Sequence, residues 1–166
     1  MPIQWRAKMS VSDQAIDQDH KRLIQLINLY EAAVTAGNCI QLRAVFDHLV
    51  AFANEHFERE ELIQIKIGYP HAVEHSCNHH ELLNSITTFT ERLCPNKLTV
   101  CPSRCNSKIT TIKPKEVNDF LHHWFIDHVI HTDLQMKPFL ERARLMKIYP
   151  PSDIPYWKPT LRTGAI

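Results

Sequence analysis

Four stretches of this chain repeat apolar residues at spacings of three and four, and each repeat is interrupted by histidine or carboxylate at positions the same repeat turns inward. The first stripe runs Ile16, His20, Leu23, Ile27, Tyr30, Val34 and stops at Gly37-Asn38, a helix-ending pair. The second runs Val45, Leu49, Phe52, His56, Glu60, Ile63, Ile67 and stops at Gly68, with Pro70 beyond. The third, His75, His79, Leu82, Ile86, Phe89, Leu93, breaks at Cys94-Pro95. The fourth starts near Pro114 with Val117, Leu121, Trp124 and His128, beside a neighbouring stripe of Phe125, Val129, Asp133 and Met136. Such a pattern predicts helices that share one interior, and that interior has to accept charge.

The 166 residues suffice for one domain. Alternating segments are scarce, and β-branched residues gather only in 98–112, which Pro102 interrupts. The expected class is therefore all-α: an antiparallel up-down four-helix bundle over residues 1–148. It carries a long loop at 94–113 before the last helix and a Pro-rich tail at 149–166. Pro138 is expected to kink or end the fourth helix.

Several functions are excluded by what is missing. Three glycines cannot build a glycine-rich phosphate loop. With 19 Lys+Arg against 18 Asp+Glu there is no basic track for nucleic acid. No apolar run is long enough for membrane insertion, and MPIQWRAKMS lacks the apolar stretch of a signal peptide, so a cytoplasmic location is expected.

Charge inside the stripes demands a partner. A buried carboxylate without one costs several kcal/mol or takes up a proton, and the inward positions hold no Lys or Arg to neutralise Glu60 and Asp133. His56 with Glu60, and His75 with His79, are i, i+4 pairs one turn apart on a helix face, where each pair can grip an ion. One histidine on an apolar face is usually a hydrogen-bonded core residue, but five of them with two acids would each need a separate partner. Nitrogen and carboxylate donors suit iron, zinc or copper better than calcium or magnesium. Seven donors exceed the four of a closed zinc site, so two metals sharing carboxylates are expected.

The stretches Ile16-Asp17-Gln18-Asp19-His20-Lys21, His56-Phe57-Glu58-Arg59-Glu60-Glu61, Tyr69-Pro70 with His75-Ser76-Cys77-Asn78-His79, and Trp124-Phe125-Ile126-Asp127-His128 through Asp133 resemble the hemerythrins, specifically the bacterial single-domain kind. The likeness runs from about Trp5 to Met136 in the family's order. It implies two iron ions, Fe2+ or Fe3+, with a bridging hydroxide or oxide: His75, His79 and His128 on one, His20 and His56 on the other, Glu60 and Asp133 bridging. Asp133, five residues after His128, is nominated by the resemblance and not by the helical wheel. The two-histidine iron would keep one open position for dioxygen, in a dry pocket walled by Leu23, Phe57, Trp124, Phe125 and Val129. Phe125 stands where the family usually has leucine, and its ring is expected to narrow the pocket and slow autoxidation.

The function this implies is reversible dioxygen binding for storage, delivery or sensing, and not primarily catalysis. Bundle oxygenases use Glu-x-x-His repeats, of which this chain has none. The alternatives are a redox or oxygen sensor acting through an unknown protein client or signalling partner, and a weak di-iron peroxidase or oxidase. His48, His71, His80, His122, His123 and His131 are assigned to surfaces or helix contacts. Cys94, Cys101 and Cys105 match no common zinc module and are expected to be reduced thiols, with a redox switch or second metal site as the alternative.

Overall fold

The computed structural model describes residues 1–93 and 113–148. The expected features at 94–112 and 149–166, including Cys94, Cys101, Cys105 and the Pro-rich tail, lie outside the described residues.

The four stripes form four long helices: α1 (Gln14–Ala36), α2 (Cys39–Ile67), α3 (Ala72–Leu93) and α4 (Pro114–Asp127). A short helix α5 (Lys137–Leu145) follows the fourth. The helices neighbour one another in a ring, α1 against α2 and α4, and α3 against α2 and α4. Tight turns between α1 and α2, and between α2 and α3, reverse the chain and make those neighbours antiparallel.

Capping explains why the helices end where they do. The Asp13 carboxylate accepts from Ala15 N at 3.0 Å and Ile16 N at 3.1 Å, opening α1. Gly37 closes it in the left-handed region at φ 63°, with Asn38 N donating to Ala33 O. Asn38 then serves again, its side chain accepting from Gln41 N to open α2. Gly68, at φ 66°, repeats the device, and Tyr69 N reaches back to Gln64 O. An added Cβ would meet nothing at either glycine, so the requirement is the positive φ and not space.

Pro138 does not end the helical path. The α geometry is already lost ten residues upstream, in a π-helical segment, His128–Thr132, followed by a 3₁₀ turn, Asp133–Met136. Pro138 sits in the first turn of α5, where its missing N–H costs nothing.

An extended N-terminal arm, absent from the sequence expectations, fastens this region. Val11 is fully buried among Ile16, Ile63, Tyr69, Met136 and Leu140. The Asp17 carboxylate accepts from Val11 N at 3.0 Å and Ser10 Oγ at 2.5 Å, while Arg144 of α5 donates to Ser12 O. The larger apolar cluster fills the other end of the bundle, around Tyr30, Phe46, Leu49, Ile86 and Leu121.

Candidate metal centre

Between these two apolar clusters lies a layer of polar side chains. All four long helical paths contribute: His20 from α1, His56 and Glu60 from α2, His75 and His79 from α3, and His128 and Asp133 from the π segment and its end. Every one of the seven is buried, and only His128, at 6%, exceeds 2% exposure.

Their donor atoms converge as two unequal groups. Glu60, His75, His79, His128 and Asp133 each place one nitrogen or oxygen within 4.8 Å of the others, and so do His20, His56 and Asp133. Asp133 belongs to both. Its Oδ2 lies 3.1 Å from His20 Nε2, while its Oδ1 lies 3.1 Å from His128 Nε2 and 3.3 Å from His75 Nε2. Glu60 Oε2 reaches both groups as well, at 3.2 Å from His79 Nε2, 3.6 Å from His75 Nε2 and 3.7 Å from His56 Nε2.

The π segment is what places Asp133. On a regular α-helix five residues rotate a side chain roughly 140° off the starting face. Here Asp133 N bonds to His128 O, the i to i+5 pattern, and the wider turn brings both side chains onto one face.

The chemistry of the layer fits metal ions. Both oxygens of Glu60, both of Asp133, and the Nε2 atoms of His20 and His75 are buried without a hydrogen-bond partner among the described residues. Orphaned donors and acceptors at this density would be costly in a protein that had nothing to place between them. Burial opposes ionisation of Glu60, but contacts with His75 and His79 outweigh it and hold the carboxyl well below the usual range. Asp133 is likewise held low against burial and the charge of Glu60, by His128, His20 and His75. Burial pushes His128 down to about 4, so its ring is neutral and its lone pair available. At His75 burial also favours the neutral ring, yet Asp133 and Glu60 raise it to about 9. Two anionic carboxylates facing five imidazoles are charge-matched for cations.

A second set of residues faces the rings from behind, and the sequence reading did not nominate it. His79 Nδ1 is 2.9 Å from Glu61 Oε1. His56 Nδ1 lies 3.5 Å from Asp19 Oδ2, which also accepts from Arg59 Nε at 2.8 Å. Carboxylates behind metal-bound imidazoles fix the tautomer and raise ligand basicity. Each sits one residue from a member of the buried layer, which was the available signal.

The five apolar residues expected at the pocket wall are all buried in one cluster. Phe125 meets His20 edge-on at a ring distance of 6.1 Å, and Phe57 stacks on His79 at 3.9 Å while also touching the rings of His56 and His128. The remaining histidines are outside the layer: His48, His71, His80, His123 and His131 are exposed and His122 is half-buried.

A family model described as the hemerythrin HHE cation binding domain matches residues 11–140. The bacteriohemerythrin of Stenotrophomonas maltophilia (strain R551-3) is 26% identical over 88 residues, 53% of this chain and 58% of that protein, so the chain spans little more than half the length of that relative. The hemerythrin-like protein of Naegleria gruberi is 19% identical over 139 residues, covering 84% of this chain and 94% of that one. A crystal structure of wild-type hemerythrin matches with a TM-score of 0.70 at 19% identity, over 84% of this chain and 98% of the other, which establishes the shared bundle.

Proposed function

The chain belongs to the hemerythrin family, and from that premise we propose that it binds dioxygen reversibly at a non-haem di-iron centre, for oxygen storage, delivery or sensing. The observation that carries this reading is the unequal division of the buried layer: a three-histidine group and a two-histidine group that share Asp133. His75, His79 and His128 would hold one iron, His20 and His56 the other, and Glu60 and Asp133 would bridge them. Two ferrous ions bound there would supply the two electrons that reversible dioxygen binding requires.

The side chains divide the remaining work. Ionised Glu60 and Asp133 offset the cationic charge, which keeps a buried centre tolerable. Glu61 and Asp19 orient the rings behind it. Leu23, Phe57, Trp124, Phe125 and Val129 keep water away, and the edge of Phe125 against His20 supports a narrow, dry approach on the side with fewer ligands. A set of five histidines and two carboxylates, without the carboxylate-rich pattern of bundle oxygenases, favours binding over turnover.

The test is iron content together with the visible spectrum of the anaerobically reduced protein before and after air. Two irons per chain, and a charge-transfer band that vanishes when oxygen is withdrawn, are expected. Immediate conversion to a stable oxidised form would favour a redox sensor or an oxidase, and zinc or no metal would remove the reading.

A further inference from the structure

The two carboxylates behind the histidine rings are not equivalent. Glu61 Oε1 faces His79 Nδ1 at 2.9 Å, its side chain is 30% exposed, and the described residues give it no Arg or Lys partner. The Asp19 side chain is 10% exposed, and its Oδ2 accepts from Arg59 Nε at 2.8 Å while facing His56 Nδ1 at 3.5 Å, beyond a hydrogen bond. Arg59 projects from α2 one position before Glu60, Asp19 from α1 one position before His20, so their contact joins the two helices that carry the two-histidine group. The guanidinium also lies over the Phe52 ring, 5.9 Å from its centroid.

The difference is one of charge. An imidazole whose Nδ1–H faces an ionised carboxylate becomes a stronger donor through Nε2. A guanidinium on the same carboxylate oxygen opposes that polarisation by Coulomb interaction at short range in a partly buried setting.

We propose that Arg59 is a positioning residue that, through Asp19, both fixes the His56 ring and weakens it as an electron donor, so that the two-histidine side of the cluster is held at a higher reduction potential than an uncompensated carboxylate would allow. The inference rests on the reading of the seven residues as a di-iron site. It assigns the Arg59–Asp19 pair a role beyond that of an ion pair tying α1 to α2. Slower loss of electrons to oxygen follows directly, since a more reducing centre autoxidises faster.

Opposite signs separate this role from a structural one. In iron-loaded protein, Arg59→Met is expected to lower the reduction potential and speed autoxidation, Asp19→Asn to raise the potential and slow it, and Arg59→Lys to stay near wild type. Shifts in the same direction, or none, would overturn the proposal, because simple loosening of the α1–α2 contact has no reason to change sign. Ring 15N shifts of His56 in the metal-free chain give a readout independent of iron. Arg59→Met should move the ring toward the Nδ1–H tautomer and Asp19→Asn away from it, and identical shifts in all forms would overturn the proposal. A chain that takes up no iron would defeat the di-iron reading alone, and the ring shifts would still decide the role of Arg59.

Discussion

Around Tyr30, Phe46, Leu49, Ile86 and Leu121 the bundle interior is apolar and closed, whereas one level along the same helices it consists of five histidines and two carboxylates. Both regions rest on the same helices, with a π turn placing Asp133 in the second, and both are buried. The forces differ. Removal of apolar surface from water stabilises the first region at about 25 cal/mol per Å² whatever the solution contains. The second carries buried donors and acceptors that find no hydrogen-bond partner among the described residues. A bundle can thus hold its shape with one half while leaving the other half's stability to a ligand.

That contrast can be broken most forcefully by withdrawing metal. Loading at about a thousandfold excess over the dissociation constant stabilises the folded state by about 4 kcal/mol, so a chelator should lower the thermal midpoint more than any single conservative substitution. Helicity should survive, because the apolar half needs no ion, and complete loss of the circular dichroism signal on chelation would refute the division.

Leu49→Ala sharpens the same comparison from the other side. Leu49 is fully buried, and such truncations cost about 2–5 kcal/mol. The loss in denaturant stability should be equal with and without metal, and metal stoichiometry should not change. A variant that lost metal as well would mean the halves are coupled.

The smallest effect is expected at Phe125→Leu, where the two regions meet. The change removes part of a fully buried ring and is expected to cost about 1 kcal/mol, yet the edge of the ring lies against His20. Autoxidation of the iron-loaded variant should be faster than in wild type while the unfolding midpoint falls by about 2–4 °C. A slower rate would contradict the role given to that ring.

The sequence made the bundle legible because burial and helical period act on every residue of a stripe: Ile16, Leu23, Ile27 and Tyr30 are all at most 2% exposed. It made six of the seven inward polar residues legible for the same reason. Asp133 lay on the neighbouring stripe with Phe125 and Val129, but its place beside His128 depends on a π turn that no apolar repeat announces, and its nomination with the histidines came from the family likeness. Pro138 misled, because a proline in a helix's first turn is compatible with starting one. Asp19, Arg59 and Glu61 escaped notice because each lies one residue off the inward stripe, where a charge reads as solvated until the ring or carboxylate it faces is known. The N-terminal arm escaped because burial of Val11 depends on α5, more than a hundred residues away in the chain.

The central claim is the inequality of two adjacent metal positions, and the Mössbauer spectrum of the 57Fe-loaded protein, reduced anaerobically and then exposed to dioxygen, tests it most directly. Two quadrupole doublets of equal area and distinct splitting are predicted, one from the three-histidine position and one from the two-histidine position that takes up dioxygen. A single doublet, or two of unequal area, would contradict it.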